Sequence, residues 1–167
     1  MMRNISVEKI TLNIGTGEPG AKLEKSKKLL KTISGMKPIS TITNKRIPTW
    51  KIRPGLEIGC KVTLRGQKAK DLLKRLLQSV KNHLEERNFD DQGNFSFGVK
   101  EYLDVPGLKY DAEVGVIGFD VAVTLQRPGF RIKRRKLMKK QPPTRHKISR
   151  EEAMEFAKKE LNIAIEE

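Results

Sequence analysis

Residues 58–87, IGCKVTLRGQKAKDLLKRLLQSVKNHLEER, decide the fold class because two hydrophobic periods follow each other there. From Ile58 to Arg65 every second side chain is apolar, which is the period of a half-buried strand. From Lys68 to Arg87 the apolar positions repeat at helical spacing and form one stripe, which predicts a helix of about five turns. A one-faced strand followed by an amphipathic helix predicts a sheet with helices packed against it.

The same two periods recur along the chain. Strands are predicted over 8–14, 39–43, 95–99 and 119–125, and helices over 21–34 and from Ser149 onward. Ser149 precedes Glu152 by three residues, the spacing of a capping box. Strands with one apolar and one polar face predict an α+β fold, an antiparallel β-sheet with α-helices packed on one face and an irregular basic arm. The length of 167 residues fits a single domain spanning 1–167.

Positive charge is concentrated in two tracts. The chain has 35 Lys and Arg against 20 Asp and Glu, a net charge of +15. Residues 25–56 hold nine cations and residues 121–150 hold eleven, and neither tract contains an acid. The rest of the chain carries more acids than cations. Segregation of this kind indicates a surface for a polyanion, which disfavours most metabolic enzymes and favours nucleic acid.

Each tract contains a segment without a regular period. Residues 44–55 have two prolines and Trp50, and are predicted to form a long basic loop. Residues 127–148 contain three prolines and a glycine, and are predicted to form a basic extended arm that orders on its partner, followed by the C-terminal helix. Both segments are expected to supply cations to RNA phosphates.

The polar face of the sheet is a second candidate surface. It combines donors and positive charge from two predicted strands, namely Lys9, Thr11, Asn13, Lys61, Thr63 and Arg65. Side chains on rigid strands can fix the register of a folded RNA. An ordinary solvated sheet face is the alternative reading of the same pattern.

A glycine motif raises the possibility of a nucleotide cofactor. Gly15, Gly17 and Gly20 spell G-x-G-x-x-G between a predicted strand and a predicted helix. Glu18 would place a negative charge beside a pyrophosphate, however, and Pro19 lacks an amide donor. A tight turn is therefore the preferred interpretation, with a dinucleotide-dependent oxidoreductase as the alternative. No cofactor is expected.

No other residues indicate catalysis. Cys60 is the sole cysteine, so an intramolecular disulfide is impossible, and it lies on the apolar side of its predicted strand. His83, on the surface of the predicted central helix, and His146, in the arm, have no partners at metal-binding spacing. No apolar stretch is long enough to span a membrane. We expect a protein that is not an enzyme and that lies in the cytoplasm.

Several blocks of sequence resemble the large-subunit ribosomal protein five family. They are GMKPISTITNKRIPTWKIRPGLEIGCKVTLRG at 35–66, NIGTGE at 13–18, NFSFGVKEYLDVPGLKYD at 94–111 and GVIGFDVAVTLQRPGF at 115–130. The basic arm and RHKISREEAM at 145–154 are similar to its archaeal and eukaryotic branch, so the chain is interpreted as archaeal-type.

The resemblance implies a structural constituent of the large ribosomal subunit. It implies binding to 5S rRNA and large-subunit rRNA in the central protuberance, and contacts with P-site tRNA. Neighbouring ribosomal proteins would include one in the small-subunit head, which would be met near Tyr102–Gly115. A nonspecific nucleic-acid chaperone remains the alternative.

The resemblance also suggests particular contact residues. The 5S contact module of the family falls on Asn13, Met36, Trp50 and Thr63. Met36 stands where a glutamine is usual and cannot donate amide hydrogen bonds, and Trp50 stands where phenylalanine is usual. The other cations and polar residues expected on RNA are Lys9, Thr11, Lys37, Lys61, Arg65, Arg131, Arg134 and Arg135. The tRNA-facing loop would use Lys45, Arg46, Lys51 and Arg53, while Trp50 would either stack on RNA or anchor the loop against the sheet edge.

Overall fold

A computed structural model describes residues 2–166 of the chain. Its strands are β1 (Ser6–Gly15), β2 (Ile39–Ile42), β3 (Glu57–Arg65), β4 (His83–Glu85), β5 (Phe95–Val99), β6 (Phe119–Gln126) and β7 (Ala164–Glu166). Its helices are α1 (Ala21–Ser34), α2 (Gln67–Ser79), α3 (Arg131–Arg134) and α4 (Arg150–Leu161). Within these residues, none of the helices is both long and apolar enough to cross a membrane.

Five strands form one sheet in the order β2-β3-β1-β6-β5. β2 runs antiparallel to β3, with Ile39 opposite Lys61. Along β5 and β6, and along β3 from Cys60 onward, buried residues alternate with more exposed ones, so one face of these strands is apolar and the other polar. The predicted α+β class with an antiparallel sheet is confirmed. β4 and β7 form a separate parallel pair.

The residues divide into two compact units. The first unit contains the chain up to Ile10, Arg65–Phe97 and the chain from Ala122 onward, and the second contains Thr11–Leu64 and Gly98–Val121. Helices α2, α3 and α4 belong to the first unit, and α1 belongs to the second. The single domain expected from the length stays a prediction.

The second unit has the elements that the sequence predicts around α1. This helix ends at Gly35, whose φ of 66° is left-handed and whose N–H donates to the Lys31 carbonyl at 2.8 Å. Leu23, Leu29 and Leu30 are among its buried residues. The predicted bounds of 21–34 are therefore confirmed.

The first unit differs from the prediction at the end of α2. The helix stops at Ser79, although the apolar stripe predicted a helix as far as Arg87. Lys81 and Asn82 have φ near 55° and turn the chain, and the Asn82 N–H donates to the Leu77 carbonyl at 2.9 Å. Leu84 is still buried, but it is buried on β4.

The placement of His83 on a helix surface was consequently wrong. His83 lies on β4, where its Nε2 is 2.8 Å from an Oε1 atom of Glu166 on β7. This contact joins two strands of the first unit and leaves the side chain partly exposed. It is a local surface pair, not part of a metal or catalytic group.

The segment predicted as an extended arm contains two short ordered elements. Helix α3 occupies Arg131–Arg134, and a 3-10 turn occupies Thr144–His146. Helix α4 follows with the predicted capping box, in which the Ser149 hydroxyl accepts from the Glu152 N–H at 3.3 Å and the Glu152 carboxylate accepts from the Ser149 N–H at 3.1 Å.

Candidate nucleic-acid interface

In the second unit, β1 and its neighbour β3 expose the polar residues that the sequence places on one face. Asn13 and Thr11 are half-buried on β1, and Lys61 and Thr63 are exposed on β3. The intervening residues of both strands are buried. Neither Asn13 nor Thr63 lies in the apolar interior, so both can meet a ligand on this face.

Gly59 explains how closely β3 approaches β1 in this unit. A Cβ atom at Gly59 would lie 2.7 Å from the Ile14 carbonyl oxygen and 2.9 Å from the Thr41 hydroxyl. Both distances are shorter than a carbon–oxygen contact allows, so a larger residue would push the strands apart. Glycine at this position therefore allows the close approach of β3 to its neighbouring strands.

The turn between α1 and β2 exposes the two predicted residues that follow the helix. Met36 is 43% exposed and Lys37 is exposed. The Met36 N–H is held by the Ser34 hydroxyl at 3.2 Å. Its backbone is thus fixed, and it offers a thioether rather than an amide to a ligand.

The basic loop 44–55 is a closed hairpin with an apolar anchor. Ile47 and Ile52 exchange backbone hydrogen bonds of 3.0 and 3.1 Å, and the Ile52 side chain is buried. Trp50 is 70% exposed, so its alternative reading as a buried anchor is wrong. Ile52 has that role. The four loop cations are all exposed, namely Lys45, Arg46, Lys51 and Arg53.

Four predicted cations of the first unit meet in one open depression. Arg65, Arg131, Arg134 and Arg135, which we call the arginine cluster, line it together with Glu8 and Gln126. One oxygen of Glu8, Oε1, accepts from Nη1 of Arg65 at 3.0 Å and from Nη1 of Arg134 at 2.6 Å. Two of the four arginines therefore share a single carboxylate oxygen.

Two further hydrogen bonds fix this cluster. Nη2 of Arg134 donates to the Gln126 Oε1 atom at 2.8 Å, and Nε of Arg135 donates to the Met138 carbonyl at 2.9 Å. Lys9, beside Glu8 on β1, is half-buried. Glu8 is not among the predicted site residues, and its partner Arg134 is 126 positions away in the sequence.

Burial along β1 gives the local reason for the position of Glu8. Val7 and Ile10 are both buried, so two residues, Glu8 and Lys9, stand between consecutive buried positions instead of one. This departure from strict alternation could have been seen in the sequence, where apolar residues also stand at positions 7 and 10. Because of this departure, Glu8 of the first unit lies where its carboxylate can accept a hydrogen bond from Arg65.

Arg127 closes the base of the arm instead of facing a ligand. Its side chain is 5% exposed, and Nη2 lies 2.7 Å from Oε1 of Glu152. Nη1 donates to the Lys147 carbonyl at 2.9 Å. The guanidinium lowers the pKa of the Glu152 carboxyl, chiefly through their hydrogen bond. Arg127 belongs to the basic tract in sequence but is a structural residue.

The glycine turn has no amides left for a pyrophosphate at its start. The Thr16 and Gly17 N–H groups both donate to the Ile58 carbonyl, at 2.9 and 3.0 Å. Positive φ angles at Gly17 and Gly20 form the turn into α1. This geometry favours the tight turn over the cofactor-binding interpretation.

Chemically reactive groups are buried or isolated. Cys60 is fully buried, and burial raises the pKa of its thiol to about 11. Among residues 2–166 no three His, Cys, Asp or Glu side chains are grouped closely enough to hold a metal ion. The predicted assignment of Cys60 to the core is confirmed.

Two family models match almost the whole chain. The model described as "Ribosomal protein L5" matches residues 1–53, and the model that describes the C-terminus of the same ribosomal protein family matches residues 57–156. The chain belongs to the ribosomal protein L5 family. In this L5 family member the first model ends within the basic loop, and the second covers β3, the arm and most of α4.

Archaeal relatives align over nearly their full length. A protein of Nanoarchaeum equitans is 48% identical over 98% of this chain and 97% of its own length, and one of Sulfurisphaera tokodaii is 47% identical over 99% and 94%. A third, of Methanosphaera stadtmanae, is 42% identical over 99% of both chains. All three are named large ribosomal subunit protein uL5.

These similarities confirm the archaeal-type ribosomal interpretation of this L5 family member. Since the matched proteins are ribosomal proteins and not enzymes, the expectation of a non-enzymatic protein is confirmed. The predicted cytoplasmic location is that of archaeal ribosomal proteins. The individual RNA-contact residues stay predictions.

Proposed function

We propose that this chain is a structural protein of the large ribosomal subunit that binds 5S rRNA through the open face of its sheet. The observation that carries the proposal is the polar face of two strands, on which Asn13 of β1 is half-buried and Thr63 of β3 is exposed. Short polar side chains on a rigid sheet suit a folded, non-helical region of RNA, where base edges and 2′-hydroxyl groups are accessible. Lys61 and Lys37 add charge in the same unit.

The two basic tracts supply affinity for RNA that does not depend on the base sequence of the RNA. Lys and Arg side chains neutralise phosphates and release counterions, so affinity depends on salt. In the second unit the loop 44–55 contributes four exposed cations, and in the first unit the arginine cluster contributes four more. We propose that the arm contacts the large-subunit rRNA other than 5S rRNA.

The loop is the proposed contact with P-site tRNA. Its hairpin is closed by Ile47 and Ile52, so the exposed Trp50 sits on an ordered turn with Lys51 beside it. An exposed aromatic ring among cations suits stacking on a base, with the cations on nearby phosphates. The segment Tyr102–Gly115 is the proposed contact with a protein of the small-subunit head.

A titration of two RNAs tests the proposal. The full chain is titrated against 5S rRNA and against an unrelated RNA of equal length at one salt concentration. We expect tighter binding to 5S rRNA, by about a hundredfold or more, because base-dependent contacts add to the phosphate term. Equal affinities would reject 5S recognition and would favour the nonspecific chaperone.

A further inference from the structure

The arginine cluster is built around an acid that is more enclosed than its partners. The Glu8 side chain is 11% exposed, whereas those of Arg65 and Arg134 are 55% and 44% exposed. Both guanidiniums meet the same oxygen of Glu8. The carboxylate therefore forms the floor of the depression, and the arginines form its rim.

The depression has a surplus of positive charge and of N–H donors, and can therefore bind an anion. Four guanidiniums around one carboxylate give a surplus of three positive charges. Each guanidinium has five N–H donors. Glu8 accepts one hydrogen bond from Arg65 and one from Arg134, and Gln126 accepts one from Arg134. Most N–H donors of these two arginines therefore remain for another acceptor.

We infer that the arginine cluster binds a phosphodiester group of the RNA backbone and that Glu8 is its positioning residue. The planar fork of arginine matches the oxygens of a phosphate, and paired forks bind it with defined geometry. This inference rests on the proposed function, which it deepens by naming one phosphate site and the residue that shapes it.

An acid in an anion site has to be explained, because by charge alone it weakens binding. Glu8 holds two arginines that come from β3 and from α3, two elements that are distant in sequence. Sharing one oxygen fixes the separation of the two forks before the ligand arrives. Less side-chain entropy is then lost on binding, which offsets the electrostatic cost.

Glu8→Gln is compared with Glu160→Gln to test the role of Glu8. Both changes remove one negative charge from the first unit, and Glu160 is exposed on α4. If Glu8 positions the cluster, E8Q should lower affinity for 5S rRNA by about tenfold, as expected when one charge-assisted hydrogen bond is lost. E160Q should leave affinity unchanged or slightly higher.

The salt dependence separates positioning from general stability. Loss of one phosphate contact should flatten the slope of log affinity against log salt by about 0.7 to 0.9 in E8Q, with no change in E160Q. Arg134→Lys keeps the charge but loses the fork that joins Glu8 to Gln126. It should lower affinity by about tenfold with little change in the slope, because a lysine still neutralises a phosphate. This variant also keeps the inference testable if E8Q unfolds.

Two results would overturn the inference. One is that E8Q keeps the wild-type slope or behaves like E160Q, or that R134K keeps the wild-type affinity. The other is that inorganic phosphate, added at constant ionic strength, binds wild type but not R134K and leaves the affinity for RNA unchanged, which would assign the cluster to a free anion. Phosphate contacts do not depend on base sequence, so the slopes are also measured on unrelated RNA. Failure of 5S discrimination would therefore reject the proposed function without affecting this test.

Discussion

Arg127 and Glu152 form an ion pair at the base of the basic arm, with 2.7 Å between Nη2 and Oε1. The same guanidinium donates to the Lys147 carbonyl from Nη1. Arg127 follows β6, Lys147 lies near the end of the arm, and Glu152 lies in the first turn of α4. One buried side chain thus joins both ends of the arm to the C-terminal helix.

Replacing this side chain should destabilise the protein. Arg127→Ala removes hydrogen bonds to a carboxylate and to a carbonyl, so we expect the free energy of unfolding to fall by about 2 to 3 kcal/mol. Arg145→Ala, at an exposed arginine of the same arm, should change it by less than about 0.5 kcal/mol. Urea unfolding of the three proteins measures both values, and equal losses would contradict the role of Arg127.

The ion pair should also make stability depend on pH. The folded pKa of Glu152 lies below its unfolded value, because Arg127 donates to the carboxylate. Its stabilisation is therefore present above the unfolded pKa and is lost as the pH falls through the folded pKa. The stability difference between wild type and Glu152→Gln should shrink as the pH drops below about 5. A difference that stays constant between about pH 7 and pH 3 would argue against the pair.

The thiol of Cys60 should be protected in the folded state. The side chain is fully buried, and its pKa is raised to about 11, so almost no accessible thiolate exists near pH 8. A thiol reagent should label the native protein only on the timescale of unfolding, and the urea-unfolded protein at once. Rapid labelling of native protein would contradict the packing of β3.

Trp50 should affect RNA binding and not stability. Because its ring is 70% exposed, Trp50→Ala should change the free energy of unfolding by less than about 0.5 kcal/mol. Loss of stacking should weaken tRNA binding by about 1 to 3 kcal/mol. Trp50→Phe keeps an aromatic ring and should recover most of the affinity. A large loss of stability with unchanged tRNA affinity would refute the assignment.

Elements with a clean local pattern were predictable from sequence. The strand β3 follows from strict alternation, and α1 ends where a glycine can adopt the left-handed cap. The end of α2 was not predictable in this way. Leu84 fits the helical stripe equally well, and no glycine or proline marks the turn at Lys81 and Asn82.

Parts of the candidate site depend on contacts between distant residues. Asn13 and Thr63 follow from alternation, since each stands between two apolar neighbours. Trp50 was ambiguous because its exposure depends on Ile52 taking the anchor position. Glu8 was missed because its partners, Arg65 and Arg134, are brought to it only by the fold.

The most direct measurement compares two double variants on 5S rRNA over a range of salt concentrations. Asn13→Ala with Thr63→Ala should lower affinity about tenfold and leave the salt slope unchanged, because neutral hydrogen bonds release no counterions. Lys37→Ala with Lys61→Ala, the two exposed cations proposed for the same surface, should flatten the slope by about 1.4 to 1.8. Wild-type affinity in the Asn13 and Thr63 variant would contradict recognition of RNA by the open face of the sheet.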